Sequence, residues 1–431
     1  MKKFIVSVVF SLSLLVAATS AFAAAGSLDS TFGNGGIVET NFGPNGNNFT
    51  FSDAALAPDG DIVVAGSVAF LDGQQSTAVI VRYLPNGVLD PSFGSDGILT
   101  LPAPASFFLG ISFIETIALQ PNGQILALFG AASSSDSEIA LLRFNSDGAP
   151  DASFGSDGQV IVNFPAPSGF AASPSLVLAQ PDGKILLAGS ATPPFRSKLS
   201  PQTVLARYVS NGALDATFGS GGFASAVAIS TPSALALLSG DGILALNSAG
   251  QLAQFSSAGA LVKTPTGGTV IATKQTAALT FQSNAGFLIA GAVQGPDGRK
   301  NADSFIDRFL LNGTADSSFS SPAISFGLNG AGVDSYSFGI AVDSQGRLII
   351  GGIFETPSNG IWGLARVQAN GSLDTTFGHG GSLTTQVGLE GFIDLVLVQP
   401  NNEIVAIGEV QVSKDTADTM EDLAVARYLA Q

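Results

Sequence analysis

The chain has 431 residues, 52 of them glycine and none cysteine; 45% is apolar, only 12% is charged, and the formal charge is −16. That composition suits a large, turn-rich β-protein and excludes a disordered chain, disulfide staples, Cys-zinc sites and thiol nucleophiles. An acidic surface repels phosphates and anionic headgroups, so nucleic acid is not an expected partner.

Met1 to Ala25 reads as a secretory signal: Lys2-Lys3, an apolar run from Phe4 to Ala18, then Ala21-Phe22-Ala23 as a small-x-small cleavage site. A membrane anchor is the alternative, but the run is short for a span of roughly 20 residues. The expectation is export to the periplasm or the cell exterior, with residues 26–431 as one domain of charge −18 once Lys2 and Lys3 are gone. No later segment has the length and apolarity of a membrane span.

From there the chain repeats. Each unit opens with an apolar strand and a tight turn: Pro58-Asp59-Gly60, Pro121-Asn122-Gly123, Pro181-Asp182-Gly183, Gly240-Asp241-Gly242, Asn284-Ala285-Gly286, Ser344-Gln345-Gly346 and Pro400-Asn401-Asn402. Pro presets φ, and Asp, Asn and Gly tolerate the left-handed backbone a hairpin needs. The turns are 63, 60, 59, 44, 60 and 56 residues apart, room for four strands per repeat, as in a propeller blade. The third strand of most units ends in Arg and an aromatic. Eight residues after each Arg stands an Asp, giving Arg82 and Asp90, Arg143 and Asp151, Arg207 and Asp215, Arg308 and Asp316, and Arg366 and Asp374 as expected structural ion pairs. The fourth, short unit has Gln254 and Val262 at those two places, so both partners are absent together.

The ends complete the pattern. The chain stops at Arg427-Tyr428-Leu429-Ala430-Gln431, and Leu28-Asp29-Ser30-Thr31-Phe32-Gly33 supplies the rest of one copy, pairing Arg427 with Asp29. These features predict an all-β, seven-bladed β-propeller of four-stranded antiparallel blades, with 26–43 as the closing strand of the last. The blades are approximately 51–101, 112–164, 174–229, 233–273, 276–326, 337–387 and 391–431.

Leu-Asp-x-Thr/Ser-Phe-Gly-x-x-Gly, the Pro-Asp-Gly hairpins and Arg-Tyr before Asn-Gly resemble the delta-60 repeat family of bacterial, mostly exported, propeller-forming proteins. The resemblance implies fold and export; it brings no activity and no catalytic residues, and the fourth unit departs from it.

In a four-strand meander the tight turns and the Asp-Phe-Gly loops share one face, and the irregular segments share the other. The latter are Leu71 to Thr77, Pro102 to Gly110, Pro165 to Ser173, Ala191 to Gln202, Gln294 to Asp303, Leu328 to Ser335, Glu355 to Gly360 and Val410 to Asp422. Variable loops on a regular scaffold carry function, so the leading expectation is a binding or scaffold module engaging a protein, glycan or small ligand there, as a monomer. The repeated Asp reads as a turn cap and ion-pair partner rather than a metal ligand, and the repeated Phe as a buried plug between blades.

For a metal, the nearest constellation is Asp415, Asp418, Glu421 and Asp422; calcium takes several hard oxygens, but the interior-Gly calcium loop is missing and the cluster reads rather as a solvated acidic loop. No cofactor is expected otherwise. The sole histidine, His379, holds an interchangeable turn position where other copies have Asn34, Ser95, Ser156 or Ser220, so no Ser-His-Asp triad is available and there are no catalytic residues to name. Two alternatives remain: a carboxylate-based, glycan-active hydrolase or lyase at the mouth of the axial channel, and a purely structural surface or matrix component.

Overall fold

The structure is a computed structural model, and it describes residues 24–42, 48–69, 76–102, 111–132, 137–164, 170–226, 229, 231–238, 240–247, 251–263, 275–282, 286–293, 303–320, 322–326, 334–356, 359–412 and 421–431. Within them every regular element is a β-strand, and no helix is long and apolar enough to cross a membrane.

A short strand β1 (Ile37–Thr40) comes first. Seven runs follow it. The first is β2 (Asn48–Leu56), β3 (Ile62–Ala69), β4 (Ser76–Tyr83) and β5 (Ile98–Leu101). The second is β6 (Ile111–Leu119), β7 (Ile125–Ala132), β8 (Ser137–Phe144) and β9 (Gln159–Ile161), and the third β10 (Ala171–Ala179), β11 (Ile185–Thr192), β12 (Gln202–Tyr208) and β13 (Phe223–Ala226). The fourth is shorter: β14 (Pro232–Leu237), β15 (Ile243–Asn247), β16 (Leu252–Phe255) and β17 (Leu261–Lys263). The fifth is β18 (Gln275–Gln282), β19 (Gly286–Val293), β20 (Asp303–Phe309) and β21 (Ala323–Ile324). The sixth is β22 (Asp334–Val342), β23 (Leu348–Glu355), β24 (Gly360–Val367) and β25 (Ser382–Thr385); the last is β26 (Glu390–Val398), β27 (Ile404–Gln411) and β28 (Glu421–Tyr428).

These strands make five four-stranded sheets and one of eight, none of them closed. The eight-stranded sheet is two antiparallel meanders joined by a single parallel pair, Ser76 with Ile111. The fourth strand beside β26–β28 is β1, antiparallel to β28 with Ile37 opposite Ala426 and Thr40 opposite Leu423.

The second strands (Ile62-Val63-Val64-Ala65, Ile185-Leu186-Leu187-Ala188, Ile404-Val405-Ala406-Ile407) are continuous apolar runs because sheets cover both of their faces. Each first strand carries a register shift near its middle, as between Phe51 and Asp53 and between Ile393 and Leu395. The shift brings a carbonyl close to the second strand: a Cβ on Gly66 would lie 2.4 Å from Thr50 O, and one on Gly408 would lie 2.0 Å from Phe392 O. Glycine is required there by space alone.

The cores lie between neighbouring repeats. One packs Val63, Ala65 and Ile80 of the first repeat against Ile114, Ile117 and Ile125 of the second. Another packs Val64, Val81 and Tyr83 of the first repeat against Val405, Ile407, Leu423 and Val425 of the last.

Candidate functional site

One cluster of side chains recurs wherever the Arg and Asp positions are both filled. The spacing of eight follows from the backbone: the Asp N–H donates to the carbonyl of its own Arg, at 3.0 Å for Asp90 on Arg82 and 2.8 Å for Asp29 on Arg427. One carboxylate oxygen caps the following turn, accepting from the backbone N–H and hydroxyl two residues on; Asp374 Oδ1 takes Thr376 N at 3.2 Å and Thr376 Oγ1 at 2.7 Å. The other oxygen faces the guanidinium. Arg143 Nε reaches Asp151 Oδ2 at 2.8 Å, Arg207 reaches Asp215 at 2.8 Å, Arg308 reaches Asp316 at 2.7 Å, Arg366 reaches Asp374 at 2.7 Å and Arg427 reaches Asp29 at 2.9 Å, while Arg82 contacts Asp90 through Nε and Nη2. Each guanidinium also lies over the ring of the repeated Phe, 4.5 Å from Phe154 and Phe218 and 4.9 Å from Phe32. Those three rings are wholly buried.

The Arg has a second task that the spacing of the motif does not disclose. Its Nη1 crosses to a turn carbonyl of the next repeat: Arg308 to Ala369 O at 2.8 Å, Arg366 to Ala430 O at 2.6 Å, Arg143 to Ser210 O and Arg427 to Pro85 O. The last of these joins the final repeat to the first. The backbone adds a parallel link, Gly155 N to Asn211 O at 2.9 Å and Gly33 N to Asn86 O at 2.8 Å.

Electrostatics follow the hydrogen bonds. The Ser153 hydroxyl is the main reason that Asp151 titrates at about 2; burial opposes it, and Ser153 N and Arg143 outweigh that opposition. Burial also pushes Asp29, Asp90 and Asp374 up, yet Thr31, Ser92 and Thr376 with the facing Arg residues leave each below the usual carboxylate range. This tight-turn face is occupied with holding repeats together.

At the fourth repeat the cluster is absent. Gln254 and Val262 stand at the Arg and Asp places, Val262 is exposed, and a cavity of about 460 Å³ opens among Leu238, Gln254, Val262, Phe281, Gln282 and Leu311. Leu311 holds the turn position that in other repeats offers its carbonyl to an Arg. Among the described residues that line this cavity none is charged.

On the opposite side, the segments between second and third strands and those between repeats lie mostly outside the described residues, including all of 294–302 and 413–420 among the former and 327–333 among the latter. Ala191 to Gln202 is described throughout. A turn closed by Ser197 N on Pro194 O, 2.9 Å, and by Leu199 N on Ser197 Oγ, 3.1 Å, lifts Phe195 to 91% exposure and Leu199 to 62%. Arg196, at φ +67°, lies 5.4 Å from the Phe195 ring, and Lys198 follows; both are exposed.

Of the four acids considered for calcium, Asp415 and Asp418 lie outside the described residues. Asp422 is buried and accepts from Asn41 Nδ2 at 3.0 Å, whereas Glu421 shares a sheet face with Glu409 of β27. Among the described residues no group of three or more His, Cys, Asp or Glu could hold a metal ion.

Segments 57–93, 120–154, 180–218 and 344–377 match the model of a β-propeller domain of unknown function, DUF5122, each match running from about the first tight turn to the repeated Phe. The chain is a DUF5122 repeat protein of the delta-60 type. Among solved structures it is similar to YCF48 bound to D1 peptide, at 10% identity and TM-score 0.47 over 95% of this chain and 100% of that one. A catalytically inactive virginiamycin B lyase from Staphylococcus aureus with quinupristin matches at 11% identity and TM-score 0.44 over 90% and 98%, and the C-terminal WD40 domain of Sif2 at 11% and 0.45 over 88% and 96%. At such distances nothing of their activities or partners transfers to the DUF5122 chain. No curated protein matches it.

Proposed function

We propose that this DUF5122 protein is an exported, seven-bladed β-propeller, closed into a ring by its N-terminal strand over residues 26–431, and that it works as a binding or scaffold module through its irregular face. The antiparallel pairing of β1 with β28 and the core shared by first and last repeats support closure. One observation carries the binding reading. The tight-turn face spends its polar groups on links between repeats, whereas the loop from Ala191 to Gln202 presents Phe195, 91% exposed, with Leu199, Arg196 and Lys198 around it. An exposed aromatic beside cations on an otherwise acidic chain suits capture of a protein or glycan ligand, with ring stacking for contact and the cations for orientation.

The test replaces Ala191 to Gln202 by a two-residue turn, which keeps β11 and β12 paired, and compares both proteins on glycan and synthetic-peptide arrays. The expected result is an unchanged melting temperature and loss of every ligand the parent captures. Equal capture by both proteins would overturn the assignment to this loop. If the parent finds no saturable ligand, the structural-component reading replaces it.

A further inference from the structure

An asparagine followed by glycine carries the means of its own modification. The glycine nitrogen can attack the asparagine Cγ, because no Cβ on the second residue shields it. The tight turns of this chain use that pair repeatedly, at Asn86, Asn122, Asn211, Asn312 and Asn370. At each of them both halves of the reaction are tied down. The attacking nitrogen donates to the carbonyl three residues back: Gly87 to Leu84, Gly123 to Gln120 and Gly212 to Val209 at 2.9 Å, Gly313 to Leu310 and Gly371 to Gln368 at 2.8 Å. The asparagine Oδ1 accepts from the N–H two residues on, at 3.1 Å from Val88, 3.2 Å from Gln124, 3.0 Å from Ala213, 3.0 Å from Thr314 and 2.9 Å from Ser372. Asn359 has a different setting, but there Gly360 is buried opposite Glu355 at the start of β24. Asn45 and Asn329 also precede glycine and lie outside the described residues.

Asn34 and Gly35, in the loop that leads into β1, have none of these restraints. The loop is fixed on both sides: Gly33 N donates to Asn86 O of the first repeat at 2.8 Å, Asn34 N to Ile37 O and Gly36 N to Phe32 O, each at 2.8 Å, and Gly36 O accepts from Arg427 N of β28 at 2.9 Å. Between those bonds, Gly35 N and the Asn34 side chain have no partner among the described residues. Both residues are exposed, and a Cβ on Gly35 would have nothing within 4 Å of it. Four other repeats avoid the pair at this place, with Ser95-Asp96, Ser156-Asp157, Ser220-Gly221 and His379-Gly380.

We propose that Asn34, among the described asparagines, is where this protein modifies itself, and that the change loosens the junction of head and tail. Gly35 N loses its proton and attacks Asn34 Cγ; the Cγ–Nδ2 bond breaks, ammonia departs and a five-membered imide is left. Water then opens the imide. Addition at Cγ gives aspartate, whereas addition at the main-chain carbonyl gives isoaspartate, whose backbone runs through Cβ and Cγ and is one carbon atom longer. Gly33 N on Asn86 O and Arg427 N on Gly36 O bracket the lengthened stretch, so both cannot keep their present geometry. The first of these bonds joins the last repeat to the first, and the second holds β28 to the residue that precedes β1.

The test incubates the folded full chain in mildly alkaline buffer and follows it by peptide maps that separate asparagine, aspartate and isoaspartate. Conversion at Asn34 should outrun that at Asn86, Asn122, Asn211, Asn312, Asn359 and Asn370 by about tenfold, the factor set by one hydrogen bond that must break before the nitrogen can attack. In denaturant, where those bonds are gone, all of them should convert at similar rates. If Asn34 converts no faster than the others in the folded chain, the site is wrong. Hydrogen exchange decides the effect on the junction: after incubation the parent should exchange faster at Ile37–Thr40 and Glu421–Tyr428 and no faster at Ile185–Tyr208. Asn34→Ser, the residue found at Ser95, Ser156 and Ser220, should show no such change. Incubated parent and variant that exchange alike at β1 and β28 overturn the loosening. If Asn34→Ser fails to fold, converted and unconverted parent chains, separated by ion exchange on the added carboxylate, are compared in its place, and equal exchange at β1 and β28 overturns it.

Discussion

The contact between the third and fourth repeats and the contact between the fourth and fifth are built from corresponding strands, but only the former has the Arg–Asp pair. At the former, Arg207 holds Asp215, lies over Phe218 and donates to Ser257 O across the gap. At the latter, Gln254 and Val262 replace the pair, and the gap is a cavity of about 460 Å³. A hairpin pattern and an apolar core therefore suffice to stack two sheets, and the Arg is what draws their turns together. The joint absence of Arg and Asp also has a physical reason. Either alone would be left charged and partly buried with nothing opposite it.

The comparison is broken most severely by importing the defect into an intact contact. Arg366 is 1% exposed and holds Asp374, the Thr376 hydroxyl and Ala430 O. Arg366→Ala should cost about 3 kcal/mol in denaturant unfolding, because Asp374 stays buried with only Arg347 Nη1, 3.9 Å away, left to oppose its charge. Adding Asp374→Val should recover part of that loss. A double variant as unstable as the sum of the two single ones would show that the pair is not coupled.

Acid acts on the intact contacts. Asp151 titrates at about 2 when folded, below its value in the unfolded chain, so its stabilisation is complete above about pH 4 and drains away as the pH falls toward 2. Ser153→Ala removes the chief cause of that low value and should move the acid unfolding midpoint to higher pH. An unmoved midpoint would assign acid sensitivity elsewhere.

A smaller change should mend the defective contact. Gln254→Arg with Val262→Asp restores the pair in sequence, and because Val262 is 60% exposed the gain should be only about 1 kcal/mol, read from the denaturation midpoint. The smallest effect belongs to the other face. Phe195→Ala should change stability by no more than about 0.5 kcal/mol, since its ring is 91% exposed, and a larger loss would place that ring in the core.

Much of this was legible in the sequence because it is local. Arg and Asp are eight residues apart since a strand end and one turn return the chain to form Asp151 N to Arg143 O, 2.9 Å, and the Ser or Thr two residues after each Asp is the partner of its cap. The complement of Arg427 and Asp29 at opposite ends could be read in the same way. What was not legible depends on register between repeats. Nothing in the order of residues shows that Arg366 reaches Ala430 O, that Asp53 serves the second repeat, or that losing Arg and Asp would leave a cavity lined by Leu311.

The antiparallel seam between β1 and β28 offers the most direct measurement. The chain has no cysteine, so Val38→Cys with Val425→Cys and, separately, Glu39→Cys with Ala424→Cys introduce pairs that face each other across it. Neighbouring pairs alternate in type, so one of the two has the closer, non-hydrogen-bonded geometry, with Cα atoms about 4.5 Å apart. Mild oxidation of the folded protein should convert that variant almost wholly to an internally crosslinked monomer. Folded protein that keeps both thiols free in both variants would contradict the joining of head and tail.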